Sequence, residues 1–302
     1  MSVRVAVPAS SANLGPGYDA FGLALALYNW FEAEPADTWS VDVSGEGAGE
    51  LPRDDRNEVT RAIKRAFAKV GYSGAAHVRC ENAIPVGRGL GSSSAAIVGG
   101  LVLAREIAGA ALDSDALFAL AVELEGHPDN VAAALLGGFT MCWHDGASPR
   151  VERLEPGAGL AVVAVISDTA VATSRARAAL PSVVPHADAA FSVGRAGLLA
   201  AGIALGRAEL IAAGATDRLH EPYREHLYPD ISRVKSLLLE CGADAAVLSG
   251  AGPTVVGLIS ALDDDAAASR ATLVSDEFGR RGGADGRRTM VLSIDRRGAH
   301  TG

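Results

Sequence analysis

The 302-residue chain is poor in several features that would assign it to common classes. Its three cysteines, Cys80, Cys142 and Cys241, lie far apart without CxxC spacing, which argues against a disulfide framework or a zinc knuckle and for reduced, buried thiols. Basic residues never run longer than two, and a net charge of -9 with a pI near 5.3 argues against a nucleic-acid partner, because phosphate backbones select clustered Lys and Arg. No uncharged apolar run reaches the ~18 residues of a membrane helix, and "MSVRVAVPASSANLG" has no signal-peptide core, so the expectation is a soluble, cytoplasmic protein. Internal repeats, heptads and long low-complexity tracts are also lacking.

What is present is apolar: 49% hydrophobic residues suffice for one large domain or two medium ones. "VRVAV" alternates toward a strand ending at Pro8, and "SSANLGPGYDAFG" follows as a polar, glycine-rich loop. "YNWFEAE" and "WSVDVSG" read as strands, and "NEVTRAIKRAFAKVG" reads as a helix capped by Asn57 and closed by Gly71. After the strand "AAHVRCENAIP", a bare loop leads into the helix "SSSAAIVGGLVLAREIAG". "SDALFALAVELEGHPDNVAAALLGG" reads as two helices broken at "GHPDN", where Pro128 disfavours helix before it.

The polar stretch "HDGASPRVERLEPGAG" is the expected boundary, dividing the chain into residues 1–150 and 151–302. Beyond it come a buried strand "LAVVAVI", helices near 173–180, 189–213 and 231–240, and two strands around the glycine turn of "DAAVLSGAGPTVVGLIS". A helix near 264–281 and the strand "TMVLSI" follow, and the tail "DRRGAHTG" is expected to fray.

The loop "PVGRGLGSSSA" carries the chemistry. Glycines let backbone N–H groups approach an anion, and the following helix N-terminus adds unpaired donors, so phosphate is the natural guest. The loop lacks the Lys of GxxxxGK[ST] and the third glycine of GxGxxG, and is neither a P-loop nor a dinucleotide fingerprint. A nucleotide phosphate brings magnesium, for which the Ser93 hydroxyl beside a carboxylate is suitable hard-oxygen ligation. Glu123 and Glu125 are the candidates; two apart, they cannot share one helical face, so one faces the site and the other faces solvent or a salt bridge.

Three segments in order, "PASSANLGPGYDAFG", "PVGRGLGSSSAA" and "LSGAGPTVVGL", resemble the signature motifs of the GHMP kinases, ATP-dependent kinases of small molecules. "SANLGPGYD" and "EGHPDNVAAALLGG" resemble the branch acting on L-homoserine on the route to threonine. The resemblance implies an α+β, two-lobed fold, with an N-terminal ATP-binding lobe like ribosomal protein S5 domain 2 and a ferredoxin-like C-terminal lobe. It implies ATP and Mg2+, and members often form homodimers. Pro85 and the loop residues Gly87, Arg88, Gly89, Leu90, Gly91, Ser92, Ser93 and Ser94 would wrap the phosphates, with Asn57 near the adenine. Ser93 and Glu125, chosen over Glu123 because it belongs to "EGHPDN", would hold the metal. Gly250 to Pro253 would support the loop.

An amino-acid alcohol needs Arg for its carboxylate, an acid for its ammonium and a neutral group for its hydroxyl. In segments that match the family, Arg177 and Arg224 with Thr173 would grip the carboxylate, Asp19 with Asn13 the ammonium, and Asn130 with His127 the hydroxyl. Asn130, Asp19, His127 and Arg177 are thus the groups expected to act in the transfer, with Asp19 either an ammonium ligand or a base. Ser10 and Tyr18 depart from the Thr and Phe of the pattern. Two alternatives stay open: another alcohol as acceptor, which would leave both arginines and Asp19 without purpose, or an inactive nucleotide-binding paralogue.

Overall fold

The computed structural model describes residues 2–109, 112–169, 173–228, 230–283 and 286–302. Two long antiparallel strands open the chain, β1 (Val3–Ala12) and β2 (Phe21–Ala36). β1 does not end at Pro8: its register shifts between Pro8 and Ala9 and the strand resumes to Ala12. A bulge is how a strand carries a residue without an N–H. Ser10 and Ser11, expected in the loop, are therefore fully buried strand residues.

β3 (Ser40–Gly45) and β4 (Ala75–Asn82) pair in parallel around α1 (Glu58–Val70), which starts as its sequence predicts. Asn57 Oδ1 accepts the Val59 N–H at 3.0 Å, and Gly71 closes the helix in the left-handed conformation. α2 (Ser92–Ala108), α3 (Ser114–Glu125) and α4 (Asp129–Leu136) follow; α2 and α4 pack directly on β1 and β2, with α3 against both helices. Gly126, at φ 85°, ends α3 and makes the break before α4. β5 (Phe139–Asp145) and β6 (Ser148–Leu154) form a hairpin that extends the same sheet through β2. The polar stretch expected to divide the chain is that hairpin's turn and outer strand, so the first sheet runs past residue 150.

β7 (Leu160–Ser167) starts a second sheet. α5 (Thr173–Ala178), α6 (His186–Leu205), α7 (Ala208–Gly214) and α8 (Glu221–Arg224) come next. The single helix expected over 189–213 is two, because Gly206 at φ 66° closes α6. By length and mean hydropathy of 1.3, α6 meets the requirement for a membrane span, and 22% of that window is buried. Two charged residues interrupt it, with Asp188 paired to Arg218 and Arg195 donating to the Ala213 carbonyl. α9 (Ile231–Glu240), β8 (Ala245–Leu248), β9 (Val255–Ser260), α10 (Asp264–Arg280) and β10 (Arg287–Ser293) complete an antiparallel sheet in the order β10-β7-β9-β8, with α9 and α10 enclosing its own small core.

The tail is not frayed. β11 (His300–Thr301) adds to the edge of β1, and the Ala299 N–H reaches the Ala134 carbonyl at the end of α4. Buried Asp295 fastens it, accepting from Tyr28 Oη at 2.6 Å and from the Gly298 N–H at 2.6 Å. The larger core takes side chains from both sheets, among them Val5, Leu23 and Val78 of the first and Val162, Val247 and Val256 of the second. That shared core fixes the two sheets relative to each other, and the polar site lies along their junction.

Candidate active site

Two chambers meet at the glycine-rich loop. The larger, about 360 Å3, is walled by Phe31, Leu51, Asn57, Cys80, Val59 and Val86. The smaller, about 90 Å3, is lined by Asn13, Asp19, Glu125, His127, Asn130 and both Arg177 and Arg224. Gly87, Ser92, Ser93 and Thr173 border both. An apolar chamber and a polar one thus open onto the same glycine-rich loop.

The loop has little freedom to be anything but glycine. A Cβ on Gly91, at φ 73°, would lie 2.0 Å from Ser10 Oγ, and one on Gly89, at φ 81°, would lie 2.4 Å from the Ser249 carbonyl oxygen. The turn after β8 holds the loop from the other side: Ser249 Oγ donates to the Gly89 carbonyl at 2.6 Å, and the Thr254 N–H to that of Arg88 at 3.3 Å. These bonds come from the two residues that flank the Gly250 to Pro253 turn expected to support the loop. Because Gly91 is the left-handed N-cap of α2, the helix's first N–H groups, those of Ser92, Ser93 and Ser94, point out of the helix end without intrahelical partners.

Glu125, the last residue of α3, meets that end. It accepts from Ser94 Oγ at 2.7 Å and Ser93 Oγ at 3.1 Å. Glu123 turns away onto Arg65, as two carboxylates two apart on a helix must diverge. The serine hydroxyls and one carboxylate form the hard-oxygen donor set that magnesium takes alongside phosphate oxygens, so the residues fit the ion.

At the start of α4, Asp129 is 2% exposed; it accepts the Asn130 N–H and contacts His127 Nδ1, both at 2.8 Å. Burial disfavours charge on His127, but its hydrogen bond to Asp129 and the charges of Asp129 and Glu125 outweigh that, and its pKa is raised. Asn130 Oδ1 accepts from Ser10 Oγ at 2.9 Å, which fixes the amide and leaves its N–H group for the cavity.

Asp19 and Asn13 both adopt positive φ, 52° and 66°. Asn13 bridges the sheets, accepting the Asp19 N–H at 2.9 Å and donating to the Gly250 carbonyl at 2.8 Å. Asp19 receives Arg177 bidentately, and Tyr18 Oη accepts from the same guanidinium at 3.0 Å. Arg224 is different. It is 2% exposed and donates to the Ala176 and Gly250 carbonyls and to His220 Nδ1, all neutral acceptors. Nη2 makes no hydrogen bond among the described residues, and burial lowers the pKa of the group.

Some expected nucleotide residues are not at the chambers. The Arg88 guanidinium is spent on the carbonyls of Val86, Ser167 and Asp168, Leu90 is fully buried, and Pro85 faces a separate cavity beside Glu46 and Arg288. Asn57 borders the apolar chamber, but its amide is committed to capping α1 and to the Pro52 carbonyl. Thr173 borders both chambers. Sequence reasoning missed Asp129 and Ser10, which orient His127 and Asn130. Asp129 stood beside them in "GHPDN", but Ser10 is 120 positions from Asn130 and only the bulged strand brings it there.

A lobed α+β molecule with an anion-binding loop, a carboxylate beside it and a second chamber for a small polar acceptor is built as a small-molecule kinase. The chain belongs to the GHMP kinases: the family's N-terminal domain matches residues 57–138 and its C-terminal domain residues 199–274. Within that family it falls among the homoserine kinases. The homoserine kinase of Streptomyces avermitilis is 45% identical over 304 residues, 99% of this chain and 95% of that protein. That of Desulfitobacterium hafniense is 37% identical over 98% of this chain and 99% of that one. The crystal structure of homoserine kinase from Cytophaga hutchinsonii superposes with a TM-score of 0.87 at 27% identity, covering 99% of this chain and 97% of that one.

Proposed function

We propose that the protein transfers the γ-phosphoryl group of ATP to the side-chain hydroxyl of L-homoserine, releasing ADP and O-phospho-L-homoserine. The observation that carries the choice of acceptor is Arg224: a buried guanidinium with only neutral partners, lining the same cavity as the phosphate loop. A buried cation without an anion is costly, and a substrate carboxylate supplies the anion. Asp19 and Arg177 complete the match. They neutralise each other across the cavity mouth, and an amino-acid zwitterion can replace one ion pair by two, ammonium on Asp19 and carboxylate on Arg177 and Arg224, with no change in net charge.

In this arrangement Asn130, held by Ser10, and His127, held by Asp129, face the acceptor hydroxyl. The amides of Ser92, Ser93 and Ser94 and the glycine loop receive the phosphates, and the apolar chamber receives the base. The hydroxyl oxygen bonds to the γ-phosphorus as the bond to the bridging oxygen of ADP breaks, and the hydroxyl proton passes late in transfer to a phosphoryl oxygen and on to solvent, so positioning the oxygen in line does most of the work. Asp19, engaged by the ammonium, is a ligand rather than a base in this reading. Ser93 and Glu125 would hold Mg2+, which would supply charge neutralisation at the phosphates. Both substrates are cytoplasmic metabolites, which supports a cytoplasmic place, and family habit supports a homodimer.

The test is Arg224→Ala assayed with L-homoserine and with 2-amino-1,4-butanediol, in which a neutral hydroxymethyl group replaces the carboxylate. The KM for L-homoserine should rise about tenfold to a thousandfold while that for the diol stays within a factor of a few. Equal losses on both would refute the assignment.

A further inference from the structure

The mechanism leaves one fully buried titratable group unused. His220, in the segment between α7 and α8, is 0% exposed, and both ring nitrogens are engaged. Nε2 lies 2.7 Å from the Gly15 carbonyl oxygen and Nδ1 lies 3.0 Å from Arg224 Nη1. A carbonyl can only accept and a guanidinium can only donate, so the two contacts define one protonation state: neutral, with the proton on Nε2. The ring is also fixed from behind. Asp217, 6% exposed, accepts the N–H groups of Leu219, His220 and Glu221 at 2.8 Å each, and the Tyr18 ring stacks at 5.4 Å from the imidazole centroid.

We propose that His220 is a positioning residue for Arg224: its neutral imidazole holds the guanidinium in the pose that receives the substrate carboxylate and ties that guanidinium to the Gly15 end of the loop carrying Asn13 and Asp19. The assignment rests on Arg224 being the carboxylate ligand. His220 lines neither chamber, so it acts on the acceptor only through Arg224 and the Gly15 loop. Two consequences follow from the chemistry. Removing the acceptor at Nδ1 leaves Arg224 Nη1 with the Gly250 carbonyl as its one acceptor among those named and loosens the guanidinium's pose. Protonating Nδ1 replaces that acceptor by a donor and sets a second positive charge against the guanidinium.

The charged and titratable groups facing the ring are Asp217, whose Oδ2 lies 3.7 Å from Nε2, together with Glu221, Arg224 and the Tyr18 phenol. Burial disfavours the imidazolium most, Arg224 adds to that, and Asp217, Glu221 and the Gly15 carbonyl oppose it; the net direction is below the ordinary 6.5. The neutral ring therefore persists through neutral pH, and its loss begins on the acid side.

The experiment compares wild type, His220→Gln, His220→Ala, Arg224→Ala and the double variant His220→Ala/Arg224→Ala, with L-homoserine and 2-amino-1,4-butanediol, between about pH 5.5 and 8.5. His220→Ala should raise the L-homoserine KM about tenfold to a hundredfold, the loss of one hydrogen bond to a charged group, and leave the ATP KM within about twofold. It should add little in the Arg224→Ala background, because the two residues act as a unit. Gln offers an amide N–H to Gly15 and an amide oxygen to Arg224, and should recover most of the affinity. Any acid-side rise of the wild-type L-homoserine KM that comes from this ring should begin only below pH 6.5, as its lowered pKa is approached, and that of His220→Gln should not rise with it. If Arg224→Ala weakens both acceptors equally, the carboxylate assignment itself is wrong. If Arg224→Ala separates the acceptors while folded His220→Ala keeps a wild-type L-homoserine KM, Arg224 keeps its role and His220 loses it. Should His220→Ala not fold, His220→Leu, which fills similar space without an acceptor for Arg224, takes its place in the same comparison.

Discussion

Arg177 and Asp19 face each other across the mouth of the acceptor cavity in a bidentate pair, Nη1 to Oδ2 at 2.8 Å and Nη2 to Oδ1 at 2.9 Å. The pair is half-exposed, so it contributes little to stability and its purpose is charge placement. Asp19→Asn should therefore change unfolding free energy by less than about 1 kcal/mol while raising the L-homoserine KM about tenfold or more. Chemical denaturation and steady-state kinetics on one preparation separate the two effects; a large stability loss with unchanged KM would reverse the assignment.

The two glutamates near the end of α3 should behave oppositely. Glu125→Gln removes the carboxylate that Ser93 and Ser94 address, and should raise the magnesium concentration for half-maximal rate while cutting kcat by about tenfold or more. Glu123→Gln breaks only the surface pair with Arg65, and should leave the magnesium titration unchanged, with a stability effect within about 0.5 kcal/mol. A magnesium response from Glu123→Gln alone would exchange their roles.

Gly91→Ala places a methyl group 2.0 Å from Ser10 Oγ at a residue with φ 73°, so either the loop or the Ser10 to Asn130 bond must give way. Both ATP KM and kcat should worsen, by about tenfold or more. Gly71→Ala, also at positive φ but with open space around it, should cost stability alone. Kinetics that do not distinguish these two would argue against the loop as the phosphate site.

Much of this site is legible in the sequence because it is local. Asn57 and Gly71 mark the ends of α1, the divergence of Glu123 and Glu125 follows from helix geometry, and glycines at 87, 89 and 91 announce a backbone cradle. The missed features are contacts between distant segments: His220 on Gly15 spans 205 positions and Ser10 on Asn130 spans 120. Local pattern also misread elements whose end is set by a neighbour. β1 passes Pro8 because β2 continues to pair with it, and the polar tail is ordered because Asp295 finds Tyr28 and the turn at Gly298.

That tail offers a stability prediction. Asp295→Ala leaves the buried Gly298 N–H without its acceptor and releases the strand that closes on α4, and should cost about 1 to 3 kcal/mol in urea denaturation. If the tail and α4 are coupled as the Ala299 to Ala134 bond indicates, kcat falls as well; unchanged stability and rate would return the tail to a passive role.

His220 sets the sign of an acid effect on folding. Its folded pKa lies below the 6.5 of the unfolded chain, so the unfolded state takes up the proton first, and its stabilising contribution, complete above pH 6.5, is lost as pH falls through the folded value. Stability plotted against pH should decline more steeply on the acid side for wild type than for His220→Gln; parallel curves would mean that the ring is not buried neutral.

The most direct measurement is ADP release with ATP and magnesium, run on L-homoserine, L-serine, L-threonine, mevalonate and galactose under identical conditions. A charge-matched amino-acid pocket beside a phosphate loop predicts turnover on L-homoserine exceeding every other acceptor by a wide margin. Equal or faster turnover on mevalonate or galactose, which offer Arg224 and Asp19 no amino-acid head, would contradict it.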